Sequence, residues 1–418
     1  MDDLPLIVDI IDSIIIDPKE EENHITDIKD CIYVLIGDIL NDNVELYKHY
    51  NFKKRVIDIV YDYFKDLYEF ISVDIDLCEV IEEVLDIYFV INNNPRSYPD
   101  TFIMKQNDKI KNKKILDSHR KKSQPDQRTP AWFNFRHGML TASDFYKIFD
   151  TQASQNNLIL KKCLPIDVSK YTRVNTDSAC HHGHLFEPIS LLIYSKLNNT
   201  TVGEFGCISH SKYNFIGASP DGINVDENNE LFCRLVEVKN PVSRIITGTP
   251  KKEYWVQMQI QMEVWDFDEC DFLETTFHQY ETEEEYKEDG DYKTSADGKQ
   301  KGMIVQFFDG KEPFYEYMPL DLNEAECEKW YDGCFDKNTD KNWIKNIYWK
   351  VKVYSCILVP RNKQWFESKI QQIADFWELI KKERIDGFDH RRPKSRRKKN
   401  NVVIKIDTEL LATIEAYS

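Results

Sequence analysis

Ser219-Pro220-Asp221-Gly222, followed sixteen residues after Asp221 by Glu237-Val238-Lys239, is the stretch that decides how this chain is read. An acid, a short polar turn and an acid-x-lysine strand bring two carboxylates and an ammonium onto neighbouring strands. Side chains alternate across a strand, so Glu237 and Lys239 share a face while Val238 turns to the other. Magnesium takes oxygen ligands and keeps several waters, so Asp221, Glu237 and the Val238 carbonyl are enough protein to hold it at a phosphate. An ammonium beside the ion orients a water and offsets charge building on the phosphate, which favours hydrolysis over transfer. The same letters also describe a plain antiparallel hairpin. Its turn, Asp226-Glu227-Asn228-Asn229-Glu230, is then polar because turns are, and Glu237 with Lys239 is a surface pair that contributes little.

Three further elements follow in a consistent order. Upstream, Gly183-His184-Leu185-Phe186-Glu187-Pro188 leads into Ile189-Ser190-Leu191-Leu192-Ile193-Tyr194, a run of helical spacing that places Glu187 near a helix end as a third acid. Downstream, Tyr254 to Trp265 reads as a helix in which Tyr254, Gln257 and Gln261 share one face at i, i+3 and i+7. Glutamines position a water or a nucleotide without adding charge; taken alone, the same helix is a buried one with a polar edge. The fourth element is Trp132-Phe133-Asn134-Phe135-Arg136-His137-Gly138-Met139-Leu140-Thr141-Ala142-Ser143-Asp144. Arg136 offers a planar fork of donors suited to a phosphate, and Thr141-Ala142-Ser143 starts a helix whose free amides favour an anion. An ordinary N-cap at Thr141 or Ser143 is compatible with that clamp.

The ordered set Trp-x-x-x-Arg-x-Gly-x-x-Thr-Ala-Ser, Gly-x-x-x-Glu-Pro, Ser-Pro-Asp-Gly, Glu-x-Lys and Gln-x-Gln resembles the YqaJ viral recombinase family. These are lambda-exonuclease-type, RecB-like enzymes of the PD-(D/E)XK nuclease superfamily. The resemblance covers roughly residues 128–280 and resumes at Ile357-Leu358-Val359-Pro360-Arg361 and at Trp365 to Trp377, similar to the family's closing strand and helix. It implies catalytic roles for Glu187, Asp221, Glu237 and Lys239, with the Val238 carbonyl on a magnesium or manganese ion and Gln257 assisting. It also implies that Arg136, Ser143 and Ser219 hold the terminal 5′-phosphate of a DNA strand. Arg244 lies about one residue from the place of a further phosphate-binding arginine and is carried as a candidate. RecB-like relatives use a histidine near the first acid, which invites comparison with His182 and His184; Glu187 has the better-matched spacing.

Length and charge set the frame around this core. The 418 residues allow two domains with tails. The formal net charge of −17 is unevenly distributed: residues 1–100 carry 24 acidic against 8 basic side chains, a balance of −16 that leaves −1 for the rest. A nearly neutral nuclease region can still present a basic groove. The ten cysteines include no Cys-x-x-C pair, which excludes a zinc ribbon, disfavours an iron–sulfur cluster and fits reduced thiols. Cys180, His181, His182 and His184 are too close together to wrap one ion. The acidic start at Met1-Asp2-Asp3 lacks a secretory signature, and no apolar run approaches a membrane span, so a soluble intracellular protein is expected. The abundance of Asn, Ile, Lys, Asp and Tyr fits an AT-rich genome such as that of a large DNA virus.

The expected organisation is an acidic helical domain (1–103), a basic linker (104–127), a nuclease domain (128–388) with an insertion around 281–350, and a basic tail (389–418) containing Arg391-Arg392-Pro393-Lys394-Ser395-Arg396-Arg397-Lys398-Lys399. The fold class is α/β, a restriction-endonuclease-like core with a mixed central sheet flanked by helices, joined to an N-terminal all-helical domain. Strands are expected near 215–218, 235–239, 271–277, 303–308 and 315–319, with a short one at 401–406. Residues 281–301 read as a solvated acidic loop or a gate, and 322–349 as a helical insertion. The function expected is 5′-end-directed exonucleolysis of DNA by a homo-oligomer, with a recombination or helicase partner. A structure-selective endonuclease and a non-catalytic DNA-end-binding scaffold are the alternatives.

Overall fold

In the acidic N-terminal region apolar side chains recur every three or four residues, and helices result. They are α1 (Glu21–Asp42), α2 (Phe52–Tyr68) and α3 (Leu77–Ile91). Phe52, Val56, Val60 and Phe64 form one stripe at steps of four, and all are buried against Ile32, Ile36, Leu77, Ile81 and their neighbours. Each such side chain contributes about 1.5–3 kcal/mol by leaving water. The opposite faces carry exposed pairs such as Lys29–Glu83 and Lys53–Glu82. The computed structural model describes residues 21–42, 46, 52–68, 76–91, 108–122, 124–125, 129–166, 175–176 and 178–393. Lys105, most of the basic tail and the strand expected at 401–406 lie outside the described residues.

The stretch read as a basic linker is largely a helix, α4 (Lys109–Arg120), capped by the Asp108 carboxylate on the Lys111 N–H. It docks through buried Leu116 and through His119, whose Nε2 lies 3.1 Å from the Trp265 carbonyl. Lys113 and Lys109 meet Glu227 and Glu230 of the polar turn, at 2.6 and 3.8 Å. Two cations of the basic stretch are therefore already paired.

After α5 (Pro130–His137), β1 (Leu140–Thr141) runs parallel to β4 (Ile216–Ala218), and β3 (Ile208–Ser209) pairs antiparallel on its other side. Gly217 permits this small sheet, because a Cβ there would stand 2.1 Å from the Met139 sulfur. Between β1 and β3 come a 3-10 turn at Ala142–Ile148, α6 (Gln152–Cys163), α7 (Ala179–Leu197) and β2 (Val202–Gly203). The helix expected after Thr141 is thus of the tighter 3-10 kind. No side-chain cap forms there, since the Thr141 hydroxyl donates to the Asp144 carboxylate instead.

The main sheet has seven strands in the order β2-β5-β6-β7-β10-β8-β9. β5 (Gly222–Asn224) and β6 (Leu235–Lys239) form the hairpin around the polar turn; α8 (Lys252–Trp265) then crosses over to β7 (Glu269–Gln279), parallel to β6. β6 falls where the sequence placed it. After the short α9 (Glu283–Glu288), β8 (Lys301–Phe308) and β9 (Pro313–Tyr317) extend the sheet. α10 (Glu324–Lys337) leads into β10 (Asn342–Pro360), and α11 (Lys363–Asp386) closes the core.

The insertion therefore departs from its reading in two places. Residues 281–301 are packed, not a loose loop: Tyr286 is buried, and buried Lys301 donates to the Tyr286 and Asp289 carbonyls under the Tyr286 ring. The helix read over 322–349 stops at Lys337, where the Asn338 amide bonds Glu316 and the Cys334 carbonyl. Beyond it Ile347, Trp349 and Val351 are buried at steps of two, the period of a strand. No helix of the described residues is long and apolar enough to cross a membrane.

Candidate active site

Asp221 stands immediately before β5, where Gly222 is required by close approach: a Cβ would lie 2.2 Å from Val202. The Asp221 carboxylate accepts the Val238 N–H at 2.7 Å, so the acid is fixed across the hairpin beside the Glu-x-Lys strand. Val238 itself packs with Tyr194, Val236 and Leu273 against α7. Glu237 and Lys239 point the other way, toward α8. Glu237 is fully buried, and its two oxygens accept from Gln257 and Gln261, each at 2.6 Å, and from Lys239. The Lys239 ammonium also lies 5.2 Å from the centre of the Tyr254 ring. Tyr254, Gln257 and Gln261, which share a helix face by spacing, therefore all meet the β6 pair. Gln259, one residue off that face, ties the molecule together instead by bonding the Pro360 carbonyl and the Asn362 N–H.

The electrostatics set this corner apart. Burial, then the neighbouring Glu237 and Glu187, push the Asp221 carboxyl well above the usual carboxylate range; Lys239 and the Val238 N–H only partly oppose them. For Lys239 burial disfavours the charge, but Glu237 and Asp221 outweigh it and hold the ammonium protonated above the ordinary lysine value. Glu187 belongs to this field from α7. The helix begins eight residues before it, capped by the Ser178 hydroxyl on the His181 N–H, so Glu187 is a mid-helix residue and not near a helix end. Ser190 anchors that helix to the sheet through Asn240 and Thr275, at 2.8 and 2.6 Å. His181 bonds the Tyr315 hydroxyl of β9 at 2.7 Å, and His182 packs against Phe186, so these two histidines serve packing, while His184 is exposed.

The phosphate-clamp candidates gather at the edge of the small sheet. Ser143 follows β1 by two residues and Ser219 follows β4 directly; because β1 and β4 are parallel, both leave the sheet on the same side. The Ser219 hydroxyl donates to the Phe205 carbonyl at 3.3 Å, and its own carbonyl accepts Gln261, which joins this edge to Glu237. Ser143 is exposed. Arg136 lies over the Trp132 ring at 4.3 Å and reaches the Cys207 thiol at the head of β3. Arg244 does not stand with them. Its guanidinium is ion-paired with Glu274 of β7, the register partner of Lys239, near the Tyr254 ring.

Sequence reasoning missed Glu274 and Asp144. Glu274 is fully buried within Phe272-Leu273-Glu274-Thr275, and a charge inside a buried strand run was the available signal. Asp144 is buried beside Ser143 and ion-pairs Lys147 and Lys161 at 2.9 and 2.8 Å. Burial opposes its charge, but the two lysines hold its carboxyl below the usual range. Nearby, burial lowers Lys162 to about 7 despite Asp144, and its ammonium donates to the Arg136 carbonyl at 2.8 Å.

A mixed sheet between helices, with acids and a lysine at the open end of a β hairpin, is the α/β architecture expected from the sequence, here with an N-terminal helical region. Residues 131–278 match the family model of the YqaJ-like viral recombinase domain. The chain is similar to an uncharacterized protein of Acanthamoeba polyphaga mimivirus, 30% identical over 328 residues, or 69% of this chain; it spans 58% of that relative's length. Among solved structures it is similar to an alkaline exonuclease from Laribacter hongkongensis, at 21% identity and a TM-score of 0.38, covering 61% of this chain and 94% of that one. A structure of the same exonuclease in complex with dAMP matches with a TM-score of 0.37.

Proposed function

We propose that the chain is a magnesium- or manganese-dependent nuclease that hydrolyses DNA phosphodiester bonds from a 5′ end, in viral recombination or repair. The observation that supports this most is the meeting of Glu187, Asp221 and Glu237 with Lys239 at one end of β6. Among the described residues no three Cys, His, Asp or Glu side chains already close around one point as a finished cage. The donor chemistry fits an ion nonetheless. Burial and two carboxylates, Glu237 and Glu187, raise the proton affinity of Asp221; the three acids are a repulsive set that a divalent cation relieves, and oxygen donors suit magnesium or manganese over softer metals.

Asp221, Glu237 and the Val238 carbonyl would hold the ion, with Glu187 beside them. When bound, the ion lowers the pKa of a water and places positive charge at the scissile phosphate. Lys239, kept protonated by its acids, orients the attacking water and offsets phosphate charge. Gln257 and Gln261 hold both Glu237 oxygens in one orientation. Arg136, Ser143 and Ser219 receive the terminal 5′-phosphate, and Arg244 a further phosphate of the strand. The acidic helices and the nuclease region act as separate domains in this reading, within a homo-oligomer that works beside a recombination or helicase partner.

The test is digestion of 5′- and 3′-labelled linear duplex and of closed circular single-stranded DNA, in magnesium, in manganese and in chelator. Shortening of linear DNA from the 5′-phosphorylated end, an intact circle and silence in chelator are expected. A cut circle points to the endonuclease alternative. DNA binding without cleavage in either ion points to the scaffold.

A further inference from the structure

Arg244, assigned above to a phosphate of the strand, is ion-paired with Glu274, an acid to which that reading gives no role. Glu274 is fully buried on β7 beside Lys239. Among the described residues the hydrogen bond to its carboxylate comes from Arg244 alone, and its second oxygen, Oε2, is buried with no partner. Of the other cations nearby, Lys239 bonds Glu237, and Lys251 acts on Glu274 through its charge alone. Arg244 is mostly withdrawn from solvent, with 22% of its side chain exposed, and its guanidinium lies 5.8 Å from the Tyr254 ring centre, on which Lys239 also rests. A phosphate that takes Arg244 must take it from a buried carboxylate with little other compensation, and a buried charge stripped of its partner is strongly unfavourable.

We propose that Glu274 is an internal counter-anion that competes with DNA phosphate for Arg244, so that it weakens binding of the strand and keeps the arginine latched until a phosphate arrives. The proposal rests on the reading of the site as one that binds a DNA strand. A carboxylate that merely preorganised Arg244 would act in the opposite direction, because its removal would loosen the arginine and weaken binding. The two roles are therefore separated by a sign.

The experiment measures binding of a 3′-fluorescein-labelled, 5′-phosphorylated duplex to the full chain by anisotropy, with calcium in place of magnesium, across a salt series. The proteins are the parent, Glu274→Gln, Arg244→Gln and the double variant. Glutamine keeps the shape of Glu274, and its amide oxygen still accepts from Arg244, so Glu274→Gln is expected to stay folded, which a melting curve checks before binding is measured. It is expected to bind about fivefold more tightly, the scale of a close charge pair, with a salt slope steeper by about one contact. Arg244→Gln binds more weakly, and the double variant loses the gain. Unchanged or weaker binding by folded Glu274→Gln, or a gain that survives in the double variant, overturns the latch. Should no protein bind the duplex at any salt, the DNA reading and the latch fall together, a result distinguishable from failure of the latch alone.

Discussion

The two faces of the β6–β7 pair carry buried charges of opposite character. On the α7 face Arg234 meets Glu269 at 2.7 Å and Asp271 at 3.3 Å, while the Tyr194 hydroxyl donates to Asp271 at 2.6 Å and receives Asn224 at 3.0 Å. Every carboxylate there is met by a donor, and Arg234 is held protonated by acids that outweigh its burial. On the α8 face and at the strand ends, Lys239 and Arg244 stand against Glu187, Asp221, Glu237 and Glu274; Asp221 is pushed up, and one Glu274 oxygen has no partner. Burial alone does not distinguish them. The partners of the carboxylates do: a network in which every carboxylate meets a donor holds strands together, even with the Asn224 Oδ1 unpartnered, whereas a surplus of acid would store affinity for a ligand.

Breaking each face separately tests that distinction. Lys239→Ala and Asp221→Asn are expected to lower DNA cleavage by on the order of a thousandfold or more, measured as single-turnover release of labelled nucleotide. Asp221→Asn, without divalent ions, should also raise the melting temperature, because it removes charge repulsion while still accepting the Val238 N–H. Asp271→Ala has the reverse signature. It takes the acceptor from the Tyr194 hydroxyl and leaves Arg234 with Glu269 alone, costs about 2 kcal/mol in urea denaturation, and leaves turnover of the folded fraction near the parent value. If Asp221→Asn destabilises as Asp271→Ala does, the two faces are alike and the surplus-acid argument fails.

The small sheet sharpens the comparison with milder effects. Arg136→Gln should reduce the preference for 5′-phosphate over 5′-hydroxyl ends by about tenfold, the scale of one charge-assisted contact, read by competition between the two substrates. Lys162 gives a pH dependence. Its folded pKa of about 7 lies below the ordinary lysine value, so between the two the unfolded chain binds a proton that the folded chain does not. Stability should therefore rise from pH 7 to pH 9, by at most about 1.4 kcal/mol per unit from this group. Denaturation midpoints of Lys162→Met should lack that part of the rise.

Much of this site was legible in the letters because its chemistry is local. Strand alternation places Glu237 and Lys239 on one face, and helix spacing places Tyr254, Gln257 and Gln261 opposite them. What escaped was set by distant partners. Glu274 lies in an apolar run whose meaning depends on a parallel neighbour in another part of the chain, and Arg244 looked available because its partner was thirty residues away. The start of α7 was hidden because Cys180-His181-His182-Gly183 has no strong helix pattern, yet the Ser178 cap and the contact with β9 hold it. Residues 342–349 read as helix by composition, and only from Ile347 onward does burial alternate with the period of a strand. The helix in the basic linker depended on Glu227, Glu230 and Trp265, none of which is adjacent in sequence.

β10 pairs with β8 through residues 342–350 and with β7 through residues 349–360, as one unbroken strand. The added β8–β9 layer is thus welded to the catalytic core by a shared beam, and excising 281–341 would expose half of that beam as a sticky edge. A layer joined this way shares one strand with the ladder of β7, in which Ser355 of β10 stands opposite Glu274.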